Sequence, residues 1–201
     1  MKPTFLAMKY VKLILLFIFI SQVVSCKKSE TTAATGEYYY QATIGGTAYS
    51  ENIPLNNTSV NLEAGSSVGG LNDVVFSSSV ANYASGRTYL LISKGVMNNY
   101  LSATNTEFKN FFAPGTYAYG SFGSTGMTIN WKDPGGLIWS TDTGTADQTG
   151  STIRIVSVTD HNGTNGTFYL KTTIEFNCKL YDGAGNRKDA SGTFVGLFGK
   201  I

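Results

Sequence analysis

One stretch of this chain leaves its backbone little choice. From position 168 onward, Phe168, Leu170, Thr172, Ile174, Phe176, Cys178 and Leu180 alternate with Tyr169, Lys171, Thr173, Glu175, Asn177, Lys179 and Tyr181. A period of two places the first set on one face of a β-strand and the second on the other, one face for a core and one for water. A helix would scatter both sets around its circumference. At about 3.3 Å per residue the strand exceeds about 40 Å, well past the common length, so a bend or bulge is expected near Thr172 and Thr173.

Shorter runs of the same character occur at 38–44, 47–51, 58–64, 73–80, 87–93, 116–119, 126–131, 137–141, 152–158 and 192–198. Turn chemistry separates them. Gly45-Gly46 predicts a tight hairpin, and Asn162-Gly163 with Asn165-Gly166 predicts another before the long strand, because these residues take positive φ cheaply. Asp133-Pro134-Gly135-Gly136 and Asp182-Gly183-Ala184-Gly185-Asn186 mark two further turns. Strands joined so tightly run antiparallel. Helical spacing downstream of the N-terminal segment appears only at Phe108, Phe111 and Phe112, closed by Pro114. The expected fold is all-β, an antiparallel β-sandwich or a barrel-like closed sheet of roughly ten strands, with at most one short helix.

The N-terminus has a different character. Lys2, Lys9 and Lys12 precede an unbroken apolar run of eight residues, 13–20. At about 1.5 Å rise per residue that run covers less than half of a hydrocarbon core about 30 Å thick, so it reads as a secretion signal rather than a lasting span. Next comes Val23-Val24-Ser25-Cys26, which resembles the lipobox of bacterial lipoproteins. The resemblance implies removal of residues 1–25, diacylglycerol on the Cys26 thiol and a further acyl chain, palmitate in type, on the new amine. Two or three chains anchor stably where one is marginal. Residues 26–35, opening with Lys27-Lys28-Ser29-Glu30, lack apolar periodicity and read as a flexible tether reaching up to roughly 30 Å. The remainder, 36–201, reads as a single β domain.

"GTF" recurs at Gly166-Thr167-Phe168 and Gly192-Thr193-Phe194, each time entering a strand after a turn. Together with the lipobox and the early glycine hairpin, these paired strands resemble the small uncharacterised lipoproteins of the Bacteroidota. The resemblance implies a lipid-anchored protein of the cell envelope, at the outer membrane and facing either side of it. It brings no catalytic residues.

Charge narrows the partners. The chain has 15 basic and 13 acidic residues, and the loss of Lys2, Lys9 and Lys12 with the signal leaves twelve against thirteen. No basic stripe is present to neutralise phosphates, which disfavours nucleic acid. With Cys26 assigned to lipid, Cys178 has no disulfide partner, and its place on the apolar side of the alternation reads as a small buried hydrophobe.

Three kinds of site deserve weighing. Gly65-Ser66-Ser67-Val68-Gly69 fits G-x-S-x-G, with Asp133, Asp160 and His161 downstream, but a nucleophile elbow needs a helix after the serine and the following residues lack one. The chain is therefore expected not to be an enzyme and to need no cofactor. Metal ligation is reduced to a weak calcium candidate at Asp182, Asn186 and Asp189, where the same residues also serve a turn. Aromatic side chains are the most informative: Trp131 shares parity with Met127 and Ile129 and is expected to be buried, whereas Trp139, Tyr39 and Tyr119 are the candidate ligand-binding rings. The expected function is a non-catalytic binding module for a glycan or similar extracytoplasmic ligand, with a structural partnership in an outer-membrane complex as the alternative and a hydrolase as a distant third.

Overall fold

The long alternating stretch forms one strand of fourteen residues in a computed structural model that describes residues 37–53, 60–68, 73–162 and 166–200, with backbone only for 60–64, 67 and 68. The apolar N-terminal segment, Cys26 and the tether lie outside the described residues, as do Gly163, Thr164 and Asn165 of one expected turn. Eleven strands follow in order: β1 (Tyr39–Ile44), β2 (Thr47–Asn52), β3 (Val60–Val68), β4 (Val74–Asn82), β5 (Thr88–Met97), β6 (Gly115–Tyr117), β7 (Gly126–Lys132), β8 (Ile138–Ser140), β9 (Thr152–Asn162), β10 (Phe168–Tyr181) and β11 (Arg187–Lys200). Between β5 and β6 lie a 3-10 turn (Tyr100–Ser102) and one α-helix, α1 (Asn105–Phe111). Each run read from the alternation corresponds to one of these strands.

All eleven belong to one hydrogen-bonded antiparallel sheet. Its order is β2-β1-β11-β10-β8-β7-β5-β4-β3, with β9 on the flank of β10 and β6 on β9. Gly45 and Gly46, at φ 57° and 81°, make the two-residue turn that sets Ile44 opposite Thr47. The long strand pairs with β11 without interruption, from Phe168 against Lys200 to Tyr181 against Arg187. A bulge does occur at the expected level, but in the neighbour: β9 carries Val156 as an extra residue opposite Thr173 and Ile174.

The sheet is not closed, which corrects the expectation of a barrel-like closed sheet; β2 and β3 end the order and do not pair with each other among the described residues. An ideal Cβ on Gly196 of β11 would lie 2.3 Å from Ser78 Oγ of β4, so these strands approach through their inner faces. Between the inner faces sits one core that includes Tyr40, Ile44, Val80, Leu90, Ile92, Ile129, Ile174 and Phe194.

One end of this core is closed by α1. Thr104 Oγ1 accepts from Glu107 N at 3.2 Å while the Glu107 carboxylate accepts from Thr104 N at 2.7 Å, a reciprocal cap that satisfies two orphan donors. The spacing of the phenylalanines then turns Phe108 and Phe112 inward, with ring centroids 5.0 and 5.9 Å from Phe76. Phe112 also packs 4.6 Å from Phe198 at the end of β11. Cys178 is buried as expected, and burial chiefly pushes its thiol up to about 12.

Candidate functional site

At the other end of β11 the inner face changes character. Lys188, ten positions before Phe198, has the parity of Ala190 and Phe194 and so points between the sheet faces. Its neighbours in space share that direction. Trp131 and Trp139 are directly paired across β7 and β8. From β2, Tyr49 and Glu51 lie opposite Ala42 and Tyr40, both inward residues of β1, and Asn82 continues the inward series of β4 after Val80. Six strands therefore send two indoles, two phenols, a carboxylate, an amide and an amine toward one mouth.

The contacts are specific. Lys188 Nζ stands 4.3 Å from the Trp139 ring centroid and 5.4 Å from that of Trp131. Tyr49 lies against Trp131 with ring centroids 4.8 Å apart. Asn82 Nδ2 donates to Glu51 Oε2 at 2.8 Å. Asp133, in the turn after β7, accepts from Trp139 Nε1 at 3.0 Å and from Leu137 N at 2.9 Å. Burial raises the Asp133 carboxyl, but these hydrogen bonds and the charge of Lys188 outweigh it and hold the group below its ordinary value. Burial, then the nearby Glu51, raises the Tyr40 phenol well above the ordinary tyrosine range. The indole N–H of the fully buried Trp131 lies near that phenol, which it acts on to lower its pKa, and makes no geometrically formed hydrogen bond among the described residues.

Of the three rings singled out from the sequence, only Trp139 belongs to this mouth. It is 5% exposed, while Ile138 beside it, at 51%, is the residue that faces out. Tyr119 is half-buried elsewhere, its hydroxyl donating to the carbonyls of Asn177 and Thr152 at 3.1 and 3.2 Å, and burial raises its pKa strongly. Tyr39 occupies the outward parity of β1, opposite Val195. Tyr40, Tyr49, Glu51, Asn82 and Lys188 were missed. The available signal was parity: Tyr49 and Glu51 alternate with Ala48 and Ser50, and Lys188 heads the series Ala190, Gly192, Phe194.

The remaining candidates do not converge. Asp182 accepts from Ala184 N, Asn186 N and Asn186 Nδ2 at 3.0, 2.8 and 2.7 Å, so its carboxylate closes the β10–β11 turn. Asp189 pairs at the surface with Arg187 at 3.4 Å, and no three His, Cys, Asp or Glu side chains among the described residues group to hold a metal. Ser67, the serine of the G-x-S-x-G match, lies within β3 rather than on a strand-to-helix turn. Asp160 pairs with Lys109 at 2.6 Å, His161 lies edge-on to Tyr38, and Asp133 is engaged at the mouth.

A second feature was invisible in the sequence. Lys94 follows Leu90 and Ile92 on the inner face of β5 and is 4% exposed. Its ammonium lies 3.9 Å from the Tyr117 ring centroid and 4.3 Å from that of Phe111, and no carboxylate among the described residues pairs with it. Burial lowers its pKa to about 8. Compared with known proteins, the chain matches no family model, no curated sequence and no solved structure.

Proposed function

We propose that this chain is a lipid-anchored β domain of the cell envelope, held at the outer membrane through an acylated Cys26, that binds a glycan or similar extracytoplasmic ligand without transforming it. The observation that carries the binding role is the mouth itself. Trp139 and Tyr49 stand there beside Lys188, Glu51, Asn82 and Asp133, a combination of rings and polar groups by which proteins stack and hydrogen-bond a sugar ring. A non-catalytic role is favoured by the engagement of both mouth acids in internal hydrogen bonds and by the scatter of the serine, histidine and aspartates of the G-x-S-x-G reading. The close approach of Gly196 to Ser78 favours reading the open sheet as a sandwich folded over one core.

The test is a glycan-array screen of the full-length chain in detergent micelles, together with mass spectrometry of its N-terminus. Retention of some glycans, lost on Trp139→Ala, together with acyl mass on Cys26, is the expected result. Uniform failure on the array overturns the binding role, and an unmodified Cys26 thiol overturns the anchor. An assembly role has its own support: Leu137 and Ile138 stand exposed at the β7–β8 turn, and β2 ends the strand order among the described residues. A companion co-purifying in stoichiometric amount with the native protein would favour that role.

A further inference from the structure

We propose that the segment from residue 98 to residue 114, which carries α1 and closes one end of the core, is a strap whose local opening is gated by Lys94 beneath it: the charged amine loosens the strap and the neutral amine seats it.

The strap is built to lift as a unit. Its turns bond within themselves, Ser102 N to Asn99, Ala103 N to Tyr100, Phe108 N to Thr104, Phe112 N to Lys109 and Ala113 N to Asn110, and among the described residues no backbone hydrogen bond joins it to a strand. Polar ties to the strands include the exposed Lys109–Asp160 ion pair, Asn105 with Lys200 Nζ at 3.4 Å, and the Ala113 carbonyl, which accepts from the Tyr117 hydroxyl. Surface ties of this kind hold little. What seats α1 is the packing of Phe108 and Phe112 on Phe76 and Phe198, and a segment held by side chains opens more readily than a paired sheet.

Lys94 lies under that cover. Phe76 and Met127 are its partners on β4 and β7, and the half-buried rings of Phe111 on α1 and Tyr117 on β6 stand 4.3 and 3.9 Å from its ammonium. Phe76 and Met127 do not titrate. On the strap, Glu107 is taken by Thr104, Lys109 by Asp160, and Tyr100 packs on Phe76, while Tyr117 is itself raised by burial. Burial alone lowers the Lys94 amine, to about 8. Ring faces attract the cation but accept no ordinary hydrogen bond from it, whereas water does. Lifting Phe111 is the movement that brings water to Lys94 while β4, β5 and β7 stay paired. The charged lysine regains its hydration by that movement, and the neutral one gains far less. Opening therefore takes up a proton and becomes rarer as pH rises.

Hydrogen exchange of the full-length chain in detergent micelles tests this at about pH 7 and about pH 9, with rates divided by those of the free amides and with α1 compared against β10. The α1 amides should be less protected than those of β10 at both values, and their protection should rise by about tenfold between the two. Lys94→Met should remove the rise, and Lys94→Arg, charged throughout, should keep the strap loose at both. Melting verifies that the variants are folded. Exchange of α1 no faster than that of β10, protection that does not change with pH, or a rise that survives Lys94→Met overturns the proposal. The first two outcomes are read on the wild-type chain alone.

Discussion

Replacing Lys94 by methionine should make this protein more stable at neutral pH. The ammonium sits inside the aromatic end of the core, between Phe111 and Tyr117, with no carboxylate to pay for its lost hydration. Its pKa falls from the ordinary 10.5 to about 8 through burial. At about 1.4 kcal/mol per pH unit, that shift corresponds to roughly 3 kcal/mol of instability while the group is charged in the folded protein. Contact with the two rings returns part of it, so the net gain expected from Lys94→Met is about 1–3 kcal/mol, or a melting rise of about 2–4 °C per kcal/mol. The pH dependence carries the sharper signature. Between about pH 8 and the unfolded pKa, the folded protein has released this proton and the unfolded chain still holds it, so the unfolded state binds more protons and stability rises with pH. Below about pH 8 both states are protonated and this contribution is flat. Above about pH 10 the raised tyrosines, Tyr89 and Tyr117 among them, act in the opposite sense, since the unfolded chain loses those protons first. Urea unfolding at pH steps between about 7 and about 9.5 should therefore show a climb in the wild type and a flatter, higher curve in Lys94→Met. Superimposed curves, or a methionine variant that is less stable throughout, would refute the argument that this lysine is charged and desolvated.

Other substitutions probe the mouth and the meeting of the strands. Asp133→Ala leaves the indole N–H of Trp139 buried without its acceptor and should cost about 1–3 kcal/mol in urea unfolding. Gly196→Ala puts a methyl 2.3 Å from Ser78 Oγ and 2.4 Å from the Phe194 ring, so a destabilisation of about 1–3 kcal/mol is expected by thermal melting. The Cys178 thiol, buried and raised to about 12, should stay silent to a thiol reagent at about pH 8 until denaturant is added. Calcium and chelator should give the same melting midpoint, because Asp182 spends its oxygens on its own turn; a midpoint raised by calcium would place the ion there.

What the sequence alone determined is local. Alternation of period two marked every strand, Gly45-Gly46 marked the hairpin by its demand for positive φ, and the spacing of Phe108, Phe111 and Phe112 marked the helix. Each of these follows from sterics and side-chain direction within a few residues. Tertiary structure alone decided which strands lie side by side, that the bulge falls at Val156 rather than in β10, that Gly196 of β11 comes close to Ser78 of β4, and that the sheet stays open. It also decided the mouth. Parity tells which side of its own strand a residue takes but not what stands opposite, so Lys188 over Trp139, or Asn82 on Glu51, needed the pairing of strands far apart in the chain. Lys94 is the extreme case: its charge argues for water, and only the register that sets it between Phe76 and Met127 puts it inside.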